Sequence, residues 1–170
     1  TKDSTIVVIN PKPQATTIIA NTTTCAGDSV QLTAGGGLTF QWYPLTGLSD
    51  AGILNPKAAP VESTTYSAIV TNQYGCVDTA FVLVNVVQKP VANAGQDKII
   101  LQGQQVQLNG SINDSGNSFT WSPVTFIDNI NSLQPFVNPP NDLEFILKVT
   151  SNFGCGISSD TVFVKVYKDI

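Results

Sequence analysis

Apolar and polar residues alternate along short stretches of this chain, and the stretches come in matching sets. Val30 and Leu32 point the same way along an extended segment, as do Val106 and Leu108. Phe40 and Trp42 match Phe119 and Trp121, while Tyr66, Ala68 and Val70 match Phe145, Leu147 and Val149. A period of two is that of a strand with one buried face. Phe81 and Leu83 align with Phe163 and Lys165, which predicts that Lys165 marks a more exposed end of its strand. Turn-forming residues interrupt the pattern roughly every 8 to 12 positions, the rhythm of two antiparallel sheets packed as a sandwich. In such a fold Trp42 and Trp121 belong in the core against the opposite sheet, rather than on the surface as a platform for stacked sugars.

The matching extends to the turns. Residues 71–76 read TNQYGC and residues 150–155 read TSNFGC. GDSVQLTA (27–34) pairs with GQQVQLNG (103–110), FQWYPLT (40–46) with FTWSPVT (119–125), and DTAFVLVNV (78–86) with DTVFVKV (160–166). The offset rises from 76 to 79 to 82, so each step is a small insertion expected in a loop. The chain reads as tandem domains, repeat one over 13–88 and repeat two over 89–170. DSTIVVIN (3–10) resembles DTAFVLVN (78–85), so residues 1–12 read as the last strand of a truncated preceding repeat plus a linker. The spacers PKP (11–13) and QKP (88–90) are short and proline-bearing, hence stiff.

Composition agrees with strands and turns. There is no His, Arg or Met, all 8 positive charges are Lys, and only Glu62 and Glu144 among the 12 acids are Glu. Val, Ile, Thr, Asn and Gly take the place of helix formers. A net charge of -4 without a basic patch argues against nucleic acid. No apolar run approaches the roughly 18 residues that cross a bilayer, so no membrane insertion is expected of this segment. No signal peptide is visible, and a chain opening at Thr1 is expected to be a processed or excised product whose targeting signals lay outside it.

The pattern CAGDSVQLTA…FQWYP…NP…TTYSAIVTNQYGCVDTAFVLVNV is similar to the PKD-like and immunoglobulin-like repeats of large Bacteroidota surface proteins, of which the gliding-motility adhesins exported by type IX secretion are the best known. The resemblance covers both repeats, and LNGSINDSGNSFTW in repeat two is the closer match to a PKD opening. It implies an all-β chain of tandem immunoglobulin-like (PKD-like) antiparallel sandwiches arranged end to end, outside the cell or on a bacterial surface. It implies extracellular stalks and adhesins, and also non-catalytic modules attached to secreted hydrolases. In that family short Asp-Ser/Thr-aliphatic motifs often accept O-linked glycans, which makes Ser29, Thr79 and Thr161 candidates.

Three cysteines in an exported protein invite disulfide pairing. Cys76 and Cys155 occupy equivalent hairpins, and repeat two has Leu101 where repeat one has Cys25. Cys25–Cys76 would close a loop within repeat one. In an immunoglobulin-like sandwich, however, those positions fall at opposite ends of the domain. Strands of about 17 Å separate them, against the roughly 7 Å that a disulfide tolerates. Cys25–Cys155 would instead staple neighbouring repeats, leaving Cys76 for a preceding one.

Catalytic chemistry is hard to assemble here, and no enzyme activity is expected. The common general base is missing with His. Asp28, Asp50, Asp97, Asp114, Asp128 and Asp142 all flank Gly, Ser or Asn and read as turn caps. NDSGN (113–117) offers oxygens for calcium but lacks the dense acidic spacing of a calcium loop, so no cofactor is expected. GGG (35–37) reads as a flexible strand connection, with no Lys-Ser/Thr pair behind it for phosphate. Tyr43, Tyr74, Phe126 and Phe153 are the aromatics outside the core alternation, with Tyr74 and Phe153 as candidate binding residues at equivalent hairpin tips. Two functions remain. One is a non-catalytic, load-bearing stalk segment of a long secreted adhesin or filament, for gliding or attachment. Its partners would be neighbouring repeats of its own chain, with a surface glycan or protein met through other domains. The other is a carbohydrate- or protein-binding accessory module of a secreted hydrolase.

Overall fold

A computed structural model describes residues 5–168. Asp3 and Ser4, the start of the segment matched to a preceding repeat's last strand, lie outside the described residues. Thr5–Asn10 form no strand. The chain divides into two compact units, Thr1–Gln88 and Lys89–Ile170. Every element among the described residues is a strand, and no helix is long and apolar enough to cross a membrane.

Repeat one holds β1 (Thr16–Thr17), β2 (Asn21–Cys25), β3 (Val30–Gln31), β4 (Ala34–Gly35), β5 (Thr39–Tyr43), β6 (Lys57–Ala58), β7 (Thr64–Thr71) and β8 (Val77–Val87). One sheet has the order β2-β8-β7-β5, while β1 pairs with β4 and β3 with β6. The opening strand is split: β1 pairs antiparallel with β4, then the chain changes sheets and β2 runs parallel to β8. Repeat two repeats the plan with β9 (Ala92–Asn93), β10 (Lys98–Leu101), β11 (Val106–Gln107), β12 (Ser111–Ile112), β13 (Ser118–Ser122), β14 (Phe136–Val137), β15 (Leu143–Thr150) and β16 (Ile157–Tyr167). Its sheet runs β10-β16-β15-β13, with β9 on β12 and β11 on β14.

Each unit buries its own core. Leu32, Trp42, Tyr66 and Ala68 pack with Val82 and Val84 in repeat one; Leu108, Trp121, Phe145 and Leu147 pack with Val162 and Val164 in repeat two. Both tryptophans are buried, and each indole N–H meets a backbone carbonyl: Trp42 Nε1 donates to Ile53 O at 3.0 Å and Trp121 Nε1 to Ser132 O at 3.1 Å. That satisfies the one polar atom of a buried indole and removes both rings from any surface role. Tyr66, the largest side chain behind Trp42, donates its hydroxyl to Thr46 O at 2.9 Å, and burial pushes its phenol pKa up.

The last strands correct the expected alignment. Asp78 lies opposite Val70 and Ser158 opposite Val149, so the strands correspond with an offset of 80, not 82. The inward positions are Val82 and Val84, and Val162 and Val164, while Phe81 and Phe163 point outward. The shared Asp-Thr pair pulled the alignment two positions along, but an unbroken ladder from Thr150↔Ile157 leaves room for one inserted residue, Gly156, in the hairpin. Lys165 is exposed as expected, 3.3 Å from Asp142 and with its ammonium 5.7 Å from the Tyr167 ring.

The triglycine is packed, where a flexible connection was expected. A Cβ on Gly36 would stand 1.8 Å from Gln14 O, and one on Gly37 would stand 2.2 Å from Val70 Cγ1. Two chain segments approach too closely there for any side chain. At one turn the repeats differ instructively: Gly47 has φ 75°, and its counterpart in repeat two is Phe126 with φ 68°. The turns match in their bonds, Ala59 N donating to Gly47 O and Asn138 N to Phe126 O. A left-handed conformation costs a non-glycine residue about 1–2 kcal/mol, and glycine's greater unfolded freedom returns part of that. Phe126→Gly is therefore expected to stabilise repeat two by about 0.5–1 kcal/mol. Denaturant midpoints of the two proteins check this, and a lower midpoint would mean that the phenyl ring contributes more by packing than its backbone costs.

Candidate functional site

The features that could act on something outside the fold gather at the ends of the last strand in each unit. The β7–β8 hairpin is closed by Asn72, whose Oδ1 accepts from Tyr74 N at 2.9 Å and Cys76 N at 3.0 Å. Gly75 takes φ 76° at the tip. Ser151 does the same work in repeat two: its Oγ accepts from Phe153 N at 3.3 Å, and Gly154 takes φ 77°. Asn and Ser are suited to this because a short side chain can stand in for a backbone acceptor. The turn therefore presents an aromatic at its tip and a cysteine just past it, twice. Tyr74 is 51% and Phe153 67% exposed.

The start of each unit is latched to this same end. Asp78 accepts from Ala15 N at 2.9 Å and pairs with Lys12 at 2.6 Å. In repeat two Ser158 Oγ accepts from Ala92 N at 3.1 Å and Asp160 from Ala94 N at 2.7 Å. The hydrogen bond from Lys12, and then that from Ala15, hold the Asp78 carboxyl below its ordinary value of 3.8. A carboxylate whose folded pKa is lowered stabilises the fold fully above the ordinary value and loses that contribution as pH falls through the lower one. Lys12→Gln is expected to move the Asp78 titration upward, read from its carboxyl resonance. An unmoved midpoint would mean that the ion pair has no weight in water.

The opposite end carries Cys25. It closes β2 beside Val87, the last residue of β8, and Ala26 N donates to Val87 O at 2.9 Å. In repeat two Leu101 stands at that place beside Tyr167, with Gln102 N on Tyr167 O at 2.8 Å. Cys25 and Cys155 are disulfide-bonded, and Cys76 is a free thiol, so no Cys25–Cys76 bridge is present. The reason is distance. β8 covers 11 residues between the two ends, about 33 Å of strand, far beyond the roughly 7 Å of a disulfide.

Beside the hairpin of repeat one, Pro11, Gly36, Gly37, Leu38, Asn72, Gln73 and Tyr74 line an open cleft of about 340 Å³. The sequence places Phe81 in the core alternation, but it is 62% exposed, in line with Ser67 and Tyr43 across the sheet. An apolar residue on both faces of the strand hid it. Five of the aspartates read as turn caps are occupied: Asp50 and Asp114 accept from the amides two residues on, as turn caps do, whereas Asp97, Asp128 and Asp142 instead accept from Phe163 N, Phe136 N and Val166 N on strands. Among the described residues no group of three or more His, Cys, Asp or Glu is placed to hold a metal ion. In NDSGN, Asp114 caps Gly116 and the Gly116 carbonyl accepts from Asn152. Ser29, Thr79 and Thr161 are all exposed, the last two on the outward faces of β8 and β16.

No protein-family model matches the chain, and no curated protein matches it in sequence. Solved structures do match in fold. The insect immune protein hemolin shares 13% identity over 91% of this chain and 47% of its own, with a TM-score of 0.60. The two immunoglobulin domains of DIP-gamma share 12% identity over 92% of this chain and 98% of theirs, also at 0.60. The C-terminal fragment of intimin, solved with the intimin-binding domain of its translocated receptor, shares 12% identity over 87% of this chain and 62% of its own, at 0.53. The chain spans about half the length of the hemolin structure it matches. At such identities the likeness establishes the fold: tandem immunoglobulin-like β-sandwiches.

Proposed function

We propose that this chain is a non-catalytic, load-bearing stalk segment of a long secreted surface adhesin or filament, in which a Cys25–Cys155 disulfide joins neighbouring repeats. One observation carries the reading. Cys25 sits at the trailing end of repeat one, beside Val87 and the spacer that follows, and Cys155 sits at the leading end of repeat two, where β9 is latched to β16; both are disulfide-bonded. A disulfide between repeats contributes nothing to binding or catalysis at either cysteine. It restricts how far the two can separate, which is useful where a chain is pulled.

Oxidised bonds suit an extracellular setting. The structural neighbours suit an adhesive parent: the domain arrangement of hemolin has implications for homophilic adhesion, and intimin is in complex with the intimin-binding domain of its translocated receptor. Within this proposal the parent is a bacterial surface protein of the gliding-adhesin kind, residues 1–12 close a preceding repeat, and Ser29, Thr79 and Thr161 are glycan acceptors. A second reading, a carbohydrate- or protein-binding accessory module of a secreted hydrolase, is favoured by the open cleft at Tyr74.

Pulling the chain from its two ends in a force spectrometer tests the stalk. With the bond intact, the residues between Cys25 and Cys155 stay out of the extension and are released only after reductant is added. Equal extensions with and without reductant would sink the jointed stalk. Glycan binding abolished by Tyr74→Ala would install the module in its place.

A further inference from the structure

Cys76 is the thiol that the proposed joint leaves over. It is free and half-buried, just past the hairpin tip of repeat one. Its counterpart Cys155 is disulfide-bonded on a hairpin of the same build, with Gly75 and Gly154 at φ 76° and 77°. The same site in the second copy is thus already engaged.

A second feature converges on this end. Ile6, Val7, Val8 and Ile9 are between 76% and 89% exposed, four consecutive apolar side chains in water without a strand partner. The corresponding stretch of β8 is partnered throughout, by β7 up to Val84 and by β2 from Leu83 to Val87. The exposed run is also tethered beside the thiol. Asn72 Nδ2 donates to Pro11 O at 2.7 Å, and Lys12 pairs with Asp78, two residues beyond Cys76.

We propose that Cys76 is the docking thiol for a further immunoglobulin-like repeat of this same kind, which takes Thr5–Asn10 as its last strand and presents a cysteine at the end of its second strand, as Cys25 does on β2. The inference rests on the Cys25–Cys155 pairing proposed above. It supplies what both features lack, a sheet for the apolar run and a partner for the thiol. In forming the bond the two thiols give up two protons and two electrons to a disulfide oxidant such as glutathione disulfide, which leaves as two thiols. The Cys76 thiolate attacks the partner cysteine's mixed disulfide with glutathione, and glutathione thiolate departs.

The test is a duplicated chain in which residues 1–87 run directly into residues 11–170, so that the first copy's Cys25 lies ahead of the second copy's Cys76. In a variant keeping only those two cysteines, the others being Ser, oxidation by glutathione disulfide is expected to give a Cys25–Cys76 cross-link in non-reducing digests. In the duplicate with all its cysteines, one thiol is expected to remain open to alkylation. Three alkylated thiols, or an uncross-linked two-cysteine variant, overturn the inference. The original chain digested in parallel separates the two claims. If it shows Cys25–Cys155, only the docking role of Cys76 falls; if it does not, the jointed stalk falls with it.

Discussion

Replacing Trp42 with alanine is expected to remove about 3–5 kcal/mol from repeat one, the range for truncating a fully buried large aromatic. The indole is wholly enclosed by Leu32, Ala34, Ala58 and the inward residues of β7 and β8, so few routes exist for the core to collapse into the space. The change also strips Ile53 O of its indole donor. A single domain of this size has about 5–15 kcal/mol in all, so repeat one should melt well below repeat two. Calorimetry of the whole chain would then show two transitions where Trp121 keeps the later one in place. A single unshifted transition would mean that the indole's burial contributes far less than its area implies. Trp42→Phe, which keeps most of the volume, should recover much of the loss.

The second large effect is expected at Gly36. Its φ of 99° lies where side chains are strained, and an added Cβ would stand 1.8 Å from a backbone oxygen, Gln14 O, which cannot rotate away. Gly36→Ala should therefore separate the chain around Gln14 from β4 and cost about 3 kcal/mol, comparable to the largest single strains stored in folded backbones. Gly75→Ala is the control, since φ is again positive but nothing lies within 4 Å of the added carbon. Its cost should stay near 1 kcal/mol, the conformational penalty alone. Equal midpoints for the two variants would show that the close approach is not what the triglycine is for.

These expectations follow different degrees of legibility. The strands around Trp42 and Trp121, and β7 and β15, were readable because their outward positions are mostly polar, leaving a clean period of two. The last strands were not, because Phe81 and Phe163 are apolar and outward while Val82 and Val162 are apolar and inward. With both faces apolar the alternation carries no phase, and the repeated Asp-Thr pair then set a false one. Two-residue strands such as β4 and β6 have no period at all. The triglycine was misread for a related reason: glycine is used both where chain must bend freely and where another backbone must pass, and only the position of Gln14 and Thr71 distinguishes them. At the site, Tyr74 and Phe153 were found because their whole turn is repeated. The cysteines left two pairings open. Strand length decided against one of them, through the reach of β8 between Cys25 and Cys76.

The parallel pairing of β2 with β8 bears on how such a domain breaks. β2 continues back to the leading spacer, and β8 continues forward into the trailing one. Once the Cys25–Cys155 bond is reduced, tension on the two spacers draws these neighbouring strands past each other lengthwise, so their ladder is sheared. All five registered pairs, Asn21↔Leu83 to Cys25↔Val87, then resist together, whereas a hairpin opened from its end yields one pair at a time. In repeat two the corresponding strands, β10 and β16, share four pairs. Under a rising pull on the reduced chain repeat two is accordingly the mechanical fuse, set by a difference of one residue in the length of a sliding contact.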